Sequence, residues 1–96
     1  MSPRFEWDPN KNASNLRKHE VGFSEAMAVF MDPLAYTIED EEHSVTERRE
    51  VIIGHSVNNR LLLVGFTERN EGVIRIFSAR EATKKERRDY EEDASL

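Results

Sequence analysis

Between Arg49 and Ser78, three apolar runs lie so close together that they must pair as antiparallel neighbours. They span about Arg49–His55, Leu61–Thr67 and Val73–Ser78, and the residues between them, Asn58-Asn59 and Asn70-Glu71-Gly72, carry turn chemistry. Connections this short cannot carry the chain back across a sheet, which excludes parallel pairing among the three. The middle run, Leu61-Leu62-Leu63-Val64, does not alternate apolar with polar residues, so a strand buried on both faces is expected. Leu34–Ile38, with Tyr36, Thr37 and Ile38, adds a short fourth strand.

The segments around these runs have helical character. Asp8-Pro9 reads as an N-cap followed by proline at the first helical position, where a missing N–H costs nothing. A helix is expected through about His19, with Ala13 and Leu16 turned inward and Phe5 or Trp7 packed at its entrance. Gly22 lies in the turn beyond it. Ser24 then caps a second helix carrying Ala26, Met27, Val29 and Phe30, which Asp32-Pro33 stops. A last helix is expected from Ser78-Ala79-Arg80-Glu81, a serine followed three residues later by glutamate in the capping-box pattern. Its apolar anchors are Ala79, Ala82 and Tyr90, so it depends on its surroundings for stability. The predicted fold is a single α+β domain over residues 1–96 in the order α-α-β-β-β-β-α. It has two N-terminal helices, a four-stranded antiparallel sheet and a C-terminal helix. The first two helices cover one face of the sheet, and the last helix or a partner covers the other.

Composition narrows what such a domain can do. At 96 residues with 38% apolar and 34% charged side chains, one modest core under a densely charged surface is expected. There is no cysteine, which excludes disulfides and cysteine-based zinc sites. The start, MSPRFEWD, lacks the order of a signal peptide, and the apolar run at Leu61–Phe66 is far short of the ~20 residues needed to span a bilayer. A cytoplasmic protein without membrane association is therefore expected. The acidic stretch EDEEHSVTE, 39–47, has no turn glycine and no calcium-loop spacing, so it is predicted to be a solvated loop rather than a metal site.

A net charge of −5 argues against nonspecific nucleic-acid binding. The distribution softens that objection. Residues 1–59 carry 6 basic and 11 acidic groups, whereas residues 60–90 carry 8 basic and 5 acidic, a local net of +3. A dipolar chain of this kind can still present an anion site.

An ordered set of segments resembles the BrnT family, toxins of bacterial type II toxin–antitoxin systems. It comprises FEWDPNK at 5–11, NLRKH at 15–19, FSEA and VF within 23–30, and DPL at 32–34. IG at 53–54, RLLLV at 60–64, TER at 67–69 and IRIFSAREAT at 74–83 follow, then Glu86, Arg87 and Tyr90. The resemblance implies a RelE-like fold and a metal-independent ribonuclease, with no cofactor, that arrests translation by cleaving RNA. It also implies neutralisation by a BrnA-type ribbon-helix-helix antitoxin. The chain would then touch DNA only through that partner, in a complex that represses its own operon. In the family, Gly often follows the KH pair directly; this chain has Glu20 there, and its glycine is Gly22.

Cleavage of this type uses the ribose 2′-hydroxyl as nucleophile and needs a base, an acid, and cations around the crowded phosphate. Arg80 is the first candidate for the phosphate, because its fork can hold two oxygens and a helix N-terminus beside it would favour an anion. The plainer account of Arg80 is a surface side chain packed on Tyr90 or Trp7. Arg75 and Glu68 are predicted on one face of the last hairpin, either as a simple cross-strand ion pair or with Glu68 orienting Arg75 toward phosphate. Arg69 stands beside the turn. Lys18 and His19 close the first helix, where the dipole alone accounts for positive charge. His19 is nevertheless the best acid–base candidate, ahead of His43 and His55. Lys84, Lys85, Arg87 and Arg88 read as a solvated helix face, and if functional they would hold RNA backbone without sequence preference. Two rival readings stand beside the ribonuclease: a non-catalytic module that only binds an antitoxin-like partner, and a DNA-binding regulator in its own right, which the net charge disfavours.

Overall fold

The computed structural model describes residues 3–44 and 47–94. In chain order the elements are β1 (Arg4–Glu6), α1 (Pro9–His19), α2 (Phe23–Met27), a 3-10 turn at Ala28–Met31 and β2 (Tyr36–Glu39). A 3-10 turn at Glu41–His43, β3 (Glu50–His55), β4 (Leu61–Arg69), a 3-10 turn at Asn70–Gly72, β5 (Val73–Glu81) and α3 (Lys84–Ala94) complete the chain. The sheet has five strands in the order β1-β5-β4-β3-β2 and is mixed: β1 runs parallel to β5, and every other pair is antiparallel. The expected four-stranded antiparallel sheet is thus corrected by one short edge strand. Three residues, Arg-Phe-Glu, are too few to show a period. They form a strand because Phe5 reaches Phe30, 5.2 Å between ring centres, while the backbone pairs with Val73–Arg75.

Leu61, Leu62 and Val64 are fully buried, as the unbroken apolar run requires. On one face of the sheet, Leu62, Val64, Phe66, Ile76 and Ala79 meet Val21, Phe23, Ala26 and Val29 from the first two helical segments. On the other face, Leu61 and Ile53 meet Tyr90 of α3, which stacks on Tyr36 at 5.7 Å and receives the edge of His55. The two-sided arrangement is as expected, but α3 covers only one end of its face.

Several local expectations are corrected. α1 does not turn Ala13 and Leu16 inward; Leu16 is 52% exposed, and the buried residue is Asn15. Its side-chain amide donates to the carbonyls of Val21 and Ala79 at 2.8 and 2.7 Å, and its Oδ1 accepts from the Ala79 N–H. β1 stops at the level of Arg75, so the free edge of β5 beyond it would leave polar groups unpaired; Asn15 supplies the missing partners. Ser24 does not cap α2. Gly22 is the N-cap, and Asn12 Oδ1 accepts the Phe23 N–H at 2.8 Å. Asp8 does cap α1, accepting from the Asn10 N–H. At the far end Glu20 adopts the left-handed conformation, φ 58°, where a glycine would cost less. The strand expected at Leu34–Ile38 is Tyr36–Glu39.

The largest local correction concerns the last helix. β5 continues through Arg80 and Glu81, paired with Leu63 and Leu62, and the Ala82 N–H still donates to the Leu61 carbonyl. The helix begins at Lys84, under a second capping box three residues wide. Thr83 Oγ1 accepts from the Glu86 N–H at 3.1 Å and Glu86 Oε1 accepts from the Thr83 N–H at 2.9 Å. Arg80 is therefore a strand residue, not the first turn of a helix. The acidic 39–47 segment holds the Glu41–His43 turn, with Asp40 bonded to His43 at 2.8 Å; residues 45 and 46 of that expected loop lie outside the described residues. Among the described residues no helix is long and apolar enough to cross a membrane.

Candidate active site

Where β1 ends and α3 does not reach, the sheet face opposite α1 and α2 is open. Pairing places Arg49, Val51, Leu63, Gly65, Ser78 and Arg80 on that face, with Thr67, Arg69 and Arg75 further along. The C-terminus of α1 leans over the uncovered edge of β5. Together these build a cleft of about 340 Å³ lined by His19, Val51, Leu63, Gly65, Ser78, Ala79 and Arg80. It continues past His19 into a second hollow of about 290 Å³, lined by Lys11, Ser14, Asn15, Lys18 and Phe77. Arg80, Lys18 and His19 are thus brought to one groove from elements sixty residues apart in the chain.

Arg80 is not free in that groove. Its two terminal nitrogens donate to the two oxygens of Glu86 at 2.7 and 2.9 Å, a bidentate pair, and one of them also reaches the Glu81 carbonyl at 3.2 Å. The Arg80 hydrogen bonds hold the Glu86 carboxyl down to about 2, against the opposing effect of burial and with help from Thr83. The same bonds from Glu86 push the Arg80 guanidinium upward, so both groups stay charged. Arg80 thus keeps its fork, but a carboxylate occupies the place expected for an anion.

The other candidates separate from this centre. Arg69 and Arg75 share Glu6, at 3.5 and 3.6 Å, and Arg69 also approaches Glu47 at 3.7 Å. Arg75 lies five strand residues from Arg80, at most ~17 Å at ~3.3 Å per residue. Glu68 pairs across the sheet with Ile74, and Arg75 with Thr67, so Glu68 and Arg75 point to opposite faces. The expected same-face pair is therefore corrected; Glu6, from the unforeseen β1, takes the place assigned to Glu68. Lys84, Lys85 and Arg88 are exposed on α3, Lys85 pairs with Asp89 and Arg87 with Glu91, which is the arrangement of a solvated helix face. His55 sits at the covered end, its backbone N–H donating to Asp32 Oδ2. His43 remains on the acidic turn.

Two residues of the groove and one beside it were not foreseen. Asn15 sets the height of α1 over β5. Gly65 lies beneath the groove floor: a Cβ there would stand 2.4 Å from Ser78 Oγ and 2.9 Å from Phe77 Cε2. Gly65→Ala is expected to destabilise the chain by about 1–3 kcal/mol through this overpacking, read from the denaturant midpoint, because the Ser78 hydroxyl and the Phe77 ring must both move to admit it. Arg49, third, places its guanidinium carbon 4.4 Å from the centre of the Phe77 ring.

Comparison with known proteins identifies the fold and the family. The crystal structure of the Brucella abortus ribonuclease toxin BrnT superimposes with a TM-score of 0.68 at 19% identity, covering 86% of this chain and 100% of that one. At that identity the likeness is one of fold. Comparison with curated proteins gives no sequence match. The family model described as "Ribonuclease toxin, BrnT, of type II toxin-antitoxin system" matches residues 7–86, which hold the α1 terminus, the open sheet face and the Arg80–Glu86 pair. The chain belongs to the BrnT family of ribonuclease toxins of type II toxin–antitoxin systems.

Proposed function

We propose that this chain is itself an active, metal-independent endoribonuclease whose working groove is the one between the α1 terminus and β5. What supports the reading is the convergence of Arg80, Lys18 and His19 on a single groove. In the step proposed, a ribose 2′-oxygen attacks the adjacent phosphorus as its proton is taken by a base. The bond from phosphorus to the 5′-oxygen breaks, and that oxygen is protonated as it leaves, giving a cyclic phosphate and a 5′-hydroxyl. Arg80 meets the phosphate oxygens with its fork, Lys18 adds a second cation, and His19 serves in proton transfer. Arg75 and Arg69 lie along the same face to hold the next stretch of backbone.

The family also supports an antitoxin partner, and we infer one of the BrnA ribbon-helix-helix type, acting with this chain in the cytoplasm to repress the shared operon. One observation favours the rival reading of a non-catalytic module: Glu86 already neutralises Arg80. The two are separated by incubating purified protein with RNA, free and ribosome-bound, in EDTA. Cleavage that persists is the expected result; RNA left intact in both settings overturns the ribonuclease reading and leaves the binding module.

A further inference from the structure

Phe77 has no evident structural reason to be aromatic. The register shifts between Gly65 and Phe66: Gly65 pairs with Ser78 and Phe66 with Ile76, so Phe77 is the extra residue of a β-bulge with nothing opposite it. It belongs to neither apolar core. Its ring lies instead over Gly65, the one residue type small enough to admit it, on the open face of the sheet. Arg49 covers it on one side, 4.4 Å from guanidinium carbon to ring centre, and the ring also lines the hollow with Lys11, Ser14, Lys18 and His19. Arg80 follows three residues later, at most ~10 Å along the strand.

A half-buried ring beside cations, held out of the core by a bulge and a glycine, is the arrangement that stacks a nucleobase. Rings and guanidinium planes hold unpaired bases of single strands, and the attraction tolerates any base because each has a π-face. We propose that Phe77 and Arg49 form a stacking platform for a base of single-stranded RNA adjoining the phosphate at Arg80. The platform rests on the ribonuclease reading and adds to it: the substrate must be single-stranded at that point, since a base held in a duplex cannot reach the ring. A base enters between ring and guanidinium, or stacks on the outer face of the guanidinium.

The test uses the whole chain and two short fluorescent strands whose 2′-oxygens are methylated, so that neither can be cut. One carries adenine at every position and the other is abasic. Fluorescence anisotropy gives the affinity of wild type, Phe77→Leu, Phe77→Trp, Arg49→Lys and Arg80→Ala for each. Phe77→Leu keeps apolar bulk without the π-face, and circular dichroism confirms that it folds. It is expected to weaken binding of the adenine strand by about 5- to 150-fold, the usual worth of one stacked base, and to leave the abasic strand unchanged. Phe77→Trp retains binding, and Arg49→Lys, which keeps charge without the plane, loses part of it. Arg80→Ala weakens both strands alike. If Phe77→Leu binds the adenine strand as wild type does, or weakens both strands equally, the platform is overturned while the ribonuclease reading stands. If wild type binds neither strand, both fall together.

Discussion

Arg80→Ala is expected to slow RNA cleavage by about 10²- to 10³-fold, the usual cost of removing one donor from a developing oxyanion. The fold should survive. Arg80 is 41% exposed, and Glu86 keeps its capping bonds to Thr83 when the arginine is gone. Its carboxyl then rises from about 2 toward the ordinary 4.5, since the bonds that depress it come first from Arg80. Single-turnover cleavage with a parallel melting curve checks both halves of the prediction. The pair also predicts a change of opposite sign. With Glu86→Gln the fork no longer has a charged partner that a phosphate must displace, and exposed pairs of this kind contribute ~0.2–1 kcal/mol. RNA binding should tighten by about 1.5- to 5-fold on that scale. Unchanged cleavage by Arg80→Ala would remove Arg80 from the mechanism; weaker binding by Glu86→Gln would make Glu86 a group that aims Arg80 rather than one that masks it.

The strands of residues 49–78 and the two-sided burial of Leu61–Val64 were readable, because turn chemistry and apolar runs are local signals. The start of the last helix was not, because the chain carries two capping boxes five residues apart, Ser78–Glu81 and Thr83–Glu86. Local pattern cannot choose between them. Pairing does: β4 extends from Leu61 to Arg69, and its backbone needs a partner through Glu81. β1 was invisible for a related reason, since it pairs with residues about seventy positions away. Asn15 defied the expectation that a helix faces its core with apolar side chains. Asn12 and Asn15, three apart on a helix with little apolar content, were the available hint that backbone edges rather than grease await that face. For the candidate site, Arg80, Lys18 and His19 could be named one by one from residue type and position. That they line one groove follows from the pairing of β5 and the placement of α1, and the contact of Arg49 with Phe77 follows from the bulge.

Arg60→Met is expected to cost the fold about 2 kcal/mol, the scale for removing charge-assisted hydrogen bonds from a partly buried carboxylate. That corresponds to a thermal midpoint roughly 8–16 °C lower for a domain of this size. Arg60 donates from Nε to Glu25 at 3.0 Å and from a terminal nitrogen to the other Glu25 oxygen, while Ser56 Oγ donates to Glu25 at 2.6 Å. It also reaches the Glu20 carbonyl at 2.9 Å and Glu81 at 3.1 Å. Glu20 adjoins His19 and Glu81 adjoins Arg80, so one guanidinium ties together the two walls of the groove. The bonds from Arg60 hold the Glu25 carboxyl at about 2, well below its ordinary 4.5, against burial and with help from Ser56. A carboxyl depressed on folding stabilises the fold fully above pH 4.5 and loses that contribution as pH falls toward 2. Glu86, also held near 2, titrates in the same window. Wild-type stability should therefore fall between pH 4.5 and 2, and Arg60→Met should show a shallower acid limb from a lower plateau. Denaturant titrations at fixed pH check the limb. A double variant, Glu25→Leu with Arg60→Met, should recover part of the lost stability, because an apolar pair leaves no partly buried carboxylate without its cation. It should not recover cleavage, since neither side chain can then hold the Glu20 carbonyl and Glu81 together. Full cleavage by a stable double variant would show that the groove keeps its shape without the clamp.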